Sequence, residues 1–123
     1  MVQLETNGAR EQAKAQLENI REMVKALQNE DNEDAEEAIR EDPLEVSVRT
    51  GWHSPGDNAE PDEYCILLCT GGPAVQLTGN LSHNEPEDVH LEYQDWYKPW
   101  ARYPLDRDEA ADCLRYARQF FFG

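Results

Sequence analysis

Few residues of this chain have the types and spacing that chemistry needs. Cys65 and Cys69 stand four apart in the run Tyr64-Cys65-Ile66-Leu67-Leu68-Cys69, and two thiols so close raise the question of a zinc site. On a strand rising about 3.3 Å per residue they lie about 13 Å apart, too far to share one ion. His53, His83 and His90 show no ligand spacing, and no Cys-x-x-Cys or His-Glu-x-x-His completes a set. A cysteine nucleophile paired with His90 would need an exposed thiol of low pKa, whereas Ile66, Leu67 and Leu68 predict burial of Cys65. Gly71-Gly72 has no following lysine and no helix, so it is a turn and lacks the parts of a phosphate loop. The sequence therefore predicts no catalytic set, no metal and no cofactor, and a small cysteine or histidine hydrolase ranks behind the binding functions.

The stronger chemical feature is charge. The formal net charge is -15 over 123 residues, and it is distributed unevenly. Residues 1–28 balance four acids with four bases, whereas residues 29–42 hold eight acids against one arginine. Residues 43–95 hold ten acids against one arginine, and residues 96–123 hold four acids against five bases. A field of one sign selects partners of the opposite sign and raises their association rate at low salt. Carboxylates three or four apart on a helix have Cβ atoms roughly 5–6 Å apart, close enough to imitate a row of phosphates. The acids expected to meet a partner are Glu33, Asp34, Glu36, Glu37, Asp57, Glu60, Asp62, Glu63, Glu85, Glu87 and Asp88. The partner predicted is a basic nucleic-acid-binding protein or ribonucleoprotein complex, not nucleic acid itself and not a membrane. The plain alternative is a solvated acidic face that serves solubility.

A second stretch, Tyr93 to Pro104, packs two tryptophans and three tyrosines into twelve residues. Tryptophan and tyrosine anchor interfaces, so Trp96 and Trp100 are candidate partner-binding residues; the competing expectation is that they cover the sheet edge and the last helix.

The elements that must position these residues are legible as periodicities. Ala13, Leu17, Ile20, Val24 and Leu27 follow a 4-3-4-3 spacing and predict a helix over 8–28. This stripe is expected to dock on the chain's own core; if it does not, it would pair helices between chains. A short acidic helix over 35–41, capped by Asp31 or Asn32, is expected before Pro43. Alternation predicts strands over 44–50, 75–81 and 89–94, and the apolar run 64–69 predicts a central strand covered on both faces. Residues 53–61 and 82–88 are expected to be loops, and Asp106 to Glu109 resembles a capping box that opens a C-terminal helix. The fold class expected is α+β: a four-stranded antiparallel meander with an N-terminal helix, a short acidic helix and a C-terminal helix. It forms one domain, with a helical acidic part (1–42) and a sheet plus helix (43–123). Alternate loops of a meander share one end of the sheet, so the 53–63 and 82–88 segments should be neighbours, with the 29–42 segment at the other end.

The absence of an apolar N-terminal run and three cysteines in apolar contexts fit a reducing cytosol. The block from Pro43 to Phe122 resembles a group of small proteins from bacteriophages and mobile elements. The likeness is carried by Gly51-Trp52-His53-Ser54-Pro55-Gly56, Leu68-Cys69-Thr70-Gly71-Gly72-Pro73-Ala74 and Leu91-Glu92-Tyr93-Gln94-Asp95-Trp96. In size and acidity the chain is also similar to phage anti-restriction and anti-CRISPR inhibitors, some of which act as nucleic-acid mimics. That resemblance implies an inhibitor of a host defence complex in the cytosol of a bacterial host and carries over no functional residue; the two fates of the N-terminal stripe leave the chain a monomer or a dimer. The alternative function is a structural or assembly protein that oligomerises through its N-terminal helix.

Overall fold

The computed structural model describes residues 3–29, 33–95 and 98–122. Its elements run α1 (Gln3–Asn29), α2 (Glu33–Glu41), β1 (Glu45–Arg49), β2 (Glu63–Cys69), β3 (Ala74–Ser82), β4 (Glu85–Pro86), β5 (His90–Gln94), β6 (Ala101–Tyr103) and α3 (Arg107–Ala117). The class is α+β. The sheet is antiparallel in the order β1-β2-β3-β5-β6, with β4 paired to the far end of β3. It is wider than the four strands expected, because two short strands lie in segments that look like loops. The expected cap of α2 at Asp31 or Asn32 lies outside the described residues. Among the described residues no helix is long and apolar enough to cross a membrane.

The helices cover one face of the sheet. The α1 stripe Ala13, Leu17, Ile20 and Val24 is buried with Ile39 of α2 and Cys113, Tyr116 and Ala117 of α3. Beneath them the register aligns Ile66, Leu77 and Leu91 in one row across β2, β3 and β5, and all three are fully buried. Each contributes roughly 1.5–3 kcal/mol relative to exposure. Arg21 ties α1 to α3 through Asp112, at 2.8 Å. Asp106 caps α3 in a reciprocal box with Glu109, as its sequence indicates.

Two local irregularities shape the sheet. The β2–β3 register shifts between Leu67 and Cys69, so that Cys69 lies opposite the buried Val75 and packs against the helix-side core. Leu68 and Cys69 thus both serve the core, which is why the run 64–69 reads as apolar on both sides. This corrects the expectation of a centrally placed strand covered twice: β2 lies second from the edge, helices cover one side, and Cys65 and Leu67 are half-buried on the open side. The second irregularity replaces the loop expected over 82–88. His83 and Asn84 have φ of 53° and 68° between the paired residues Ser82 and Glu85, as a two-residue hairpin of the I′ type requires.

Below that hairpin the chain bulges at Asp88. Its side chain accepts from the Asn80 backbone N–H at 2.7 Å and the Asn80 side-chain amide at 3.1 Å. Its carbonyl accepts from the Tyr64 hydroxyl at 2.7 Å. This close approach needs a glycine at position 79: an added Cβ would lie 2.2 Å from the Asp88 carbonyl oxygen and 2.7 Å from the Tyr64 ring. Backbone on one side and a packed ring on the other leave no room to yield. Gly79→Ala should therefore destabilise the protein by about 2 kcal/mol or more, read as a lowered urea midpoint with unchanged slope; wild-type stability would refute the crowding.

Candidate functional site

The segments expected to be neighbours are brought together at one end of the sheet. The Leu81 N–H donates to the Asp62 carbonyl at 2.8 Å, Glu63 lies opposite Asn80, and Asn80 holds Asp88. Asp62, Glu63 and Asp88 thus meet, with Glu85 and Glu87 exposed on and beside β4 and Asp57 and Glu60 exposed on the long segment before β2. The second group, Glu33, Asp34, Glu36 and Glu37, sits on α2, which enters β1 from the opposite end. The five residues of β1 separate the two ends by roughly 16 Å, so the eleven acids form two sets.

The carboxylates divide by task. Asp62 accepts from the Gly51 N–H at 2.6 Å and fixes the start of the 50–62 segment. Glu63 pairs with Arg49, and Glu36 pairs with Arg40 one turn on, at 3.7 Å. With Asp88, four of the predicted acids are engaged in holding the chain's own structure. Glu33, Asp34 and Glu37 at one end, and Asp57, Glu60, Glu85 and Glu87 at the other, present exposed carboxylates. Glu33, Asp34 and Glu36 also lie in the first turn of α2, where the helix dipole favours negative charge.

The aromatic stretch is a strand in part. Ala101–Tyr103 pairs with β5, and Tyr103 carries the Arg10 guanidinium 5.2 Å above its ring. Trp96 lies outside the described residues. Trp100, beside β6, is 38% exposed, half cover and half surface. The residue that sequence reasoning passed over is Trp52, which is fully exposed next to the Gly51–Asp62 contact. The signal was there: an aromatic residue within a run of turn formers that belongs to no apolar period.

Compared with protein-family models, with curated proteins and with solved structures, the chain matches none. Function must therefore be argued from the surface itself.

The open face of the sheet is a polar concavity. One row runs Ser47, Cys65, Thr78, His90 across β1, β2, β3 and β5. The next carries a chain of contacts: the Cys65 thiol donates to Gln76 at 3.2 Å, the Gln76 amide donates to Glu92 at 2.8 Å, and Glu92 faces Arg102 at 3.8 Å. Cys65 and His90 are two strands apart, about 10 Å between backbones, with Thr78 between them, too far for a thiol to pass its proton to the imidazole. Cys65 lies on the open side and Cys69 on the helix side. Among the described residues, no three of His, Cys, Asp or Glu are grouped to hold a metal ion.

Burial pushes all three thiols up. Desolvation dominates for Cys65, with Glu92 and Glu45 adding to it, and dominates for Cys69 against opposing hydrogen bonds. Cys113 is pushed up from 9.0 to about 12 by desolvation, then by Asp112 and Glu109. A thiol reagent at pH 8 should thus modify the native protein far more slowly than the urea-unfolded chain, which should show three reactive thiols. Fast stoichiometric labelling of the native state would overturn this. Since the folded Cys113 keeps its proton to about 12 while the unfolded thiol loses it near 9.0, unfolding releases a proton in that interval. This contribution to stability is full below about pH 9 and declines as pH rises towards 12. Tyr64 and Tyr116, also raised mainly by burial, act in the same direction above pH 10. Urea titrations across this range check it: a midpoint that holds constant from pH 8 to 11 contradicts the burial of these groups.

Proposed function

We propose that this protein is a binding protein that occludes the basic groove of a host nucleic-acid-binding defence complex, acting in the bacterial cytosol as an inhibitor of the anti-CRISPR or anti-restriction type. The observation that supports this reading is the acidic end of the sheet, where two segments distant in sequence are joined through Asp62, Glu63, Asn80 and Asp88 and carry the exposed carboxylates of Asp57, Glu60, Glu85 and Glu87. Such a surface shares with duplex DNA a dense line of negative charge, and its binding shares the salt dependence of phosphate contacts. The exposed Trp52 beside it supplies an aromatic anchor of the kind that dominates interface energetics, and Trp100 is a second. No bond is made or broken; the mechanism is occupancy. Oligomerisation through α1 is disfavoured, because its apolar stripe is buried within the chain.

Affinity capture from nuclease-treated host lysate, washed across a salt series, tests the proposal. A nucleic-acid-binding complex should be retained at low salt, released as salt rises and displaced by added DNA or RNA. Neutralising Asp57, Glu60, Glu85 and Glu87 together (to Asn and Gln) should weaken retention at least about ten-fold, since each phosphate-like contact contributes to the salt-dependent term. Trp52→Ala should weaken it by a similar factor without lowering stability, because the side chain packs on nothing that holds the fold. Retention that survives high salt, or that ignores the four neutralisations, would sink electrostatic mimicry at this end.

A further inference from the structure

Among the described residues the edge strand β1 is hydrogen-bonded to β2 on one side only. It contains no proline or bulge, and its two charged residues, Glu45 and Arg49, stand at its ends, so its centre is open to another strand. Its helix-side residues Val46 and Val48 are aligned with the core rows through Ile66 and Tyr64, yet they remain 37% and 46% exposed. The helices stop short of them. Phe122 packs against Tyr64, ring centroids 5.2 Å apart, and covers the row beside this margin but not the margin itself.

The sequence of the strand says what fits there. Glu45-Val46-Ser47-Val48-Arg49 is complementary to itself when read antiparallel about Ser47. Glu45 then faces Arg49 of a second copy, Val46 faces Val48, Ser47 faces Ser47, and the pattern repeats by two-fold symmetry. Pairing on this register keeps both helix layers on the same side, because opposed residues share a face. It closes the four valines into one apolar block and places an ion pair at each end of the open face. Arg49 is the single arginine or lysine between positions 43 and 95, and it occupies the place in β1 where this register calls for a cation; it already pairs with Glu63 of its own chain, so Glu45 of the second copy would join that pair. We propose that the protein forms a two-fold dimer through β1, joining two sheets edge to edge into one twice as wide. An isologous contact of this kind is the commonest way for a chain to pair with itself.

Charge makes the proposal distinguishable from the function above. Two chains of -15 repel each other, and salt screens that repulsion, so the dimer should tighten as salt rises, whereas capture of a basic partner should loosen. Sedimentation velocity on the full chain reads both mass and affinity. The expected species is twice 14.1 kDa, with a dimer fraction that grows with salt. Glu45→Arg replaces each of the two ion pairs by a pair of opposed guanidinium groups and should weaken the dimer roughly ten-fold, although it lowers the net charge that opposes association. The double variant E45R/R49E restores opposite charges across the contact and the original net charge, but it also removes the pair of Arg49 with Glu63 of its own chain; it should therefore bind more tightly than Glu45→Arg alone without reaching wild-type affinity, with circular dichroism verifying that each variant is folded. A mass of 14.1 kDa at every concentration and salt would overturn the proposal. So would a dimer that Glu45→Arg leaves unchanged or tightens, since that dimer would form elsewhere.

Discussion

The burial of the row Ile66, Leu77 and Leu91 beneath α1 is the constraint on which the remaining architecture depends. In a chain with thirty per cent charged residues, apolar surface is scarce, and the fold concentrates it on one side of one sheet. α1, α2 and α3 converge there, and no polar or charged residue is fully buried among those described. The cost of desolvating an ion is thereby avoided altogether. The acids lie at strand ends, at helix starts, in loops, on the outer faces of the helices and, with Glu92, on the open face of the sheet, where water and salt limit their self-repulsion.

That displacement explains why the acid is both structural and superficial. Asp62 and Asp88 satisfy backbone N–H groups at places where the ladder is interrupted, Gly51 and Asn80 respectively, and Glu63 and Glu36 engage nearby arginines. Carboxylates are natural for the first task, since an ionised acceptor makes a stronger bond to an N–H than a neutral one. The exposed remainder is then surplus to the fold. This surplus, together with Trp52, is what the proposed partner would meet.

Much of this was legible in the residues. The 4-3-4-3 stripe of α1, the alternation of β1, β3 and β5 and the Asp106–Glu109 box each have one dominant period or a specific local bond, and the structure follows them. What was not legible depends on tertiary pairing. β4 hides because its turn is His83-Asn84 rather than the glycine-bearing pair that signals such hairpins. β6 is three residues long within a stretch rich in proline and aromatics, and only its partner β5 makes it a strand. The bulge before Cys69 places two successive residues on the core side, which imitates a strand buried on both faces. At the candidate site, the adjacency of the two acidic segments followed from meander topology alone. The division into engaged and exposed carboxylates did not, because it depends on which backbone groups the irregularities leave unpaired.

The position of α1 in the chain bears on how the fold is reached. Its stripe packs on strands β3 and β5 and on α3, and its clamp from Arg21 to Asp112 spans 91 positions. An isolated helix turns on a sub-microsecond to microsecond scale, whereas contacts between distant segments must first overcome loop-closure entropy. Because α1 precedes the strands and the helix it packs on, it carries a finished apolar stripe before they are made to cover it. Until the sheet is assembled, that stripe is a transient adhesive surface of the kind that makes a partly folded chain prone to association.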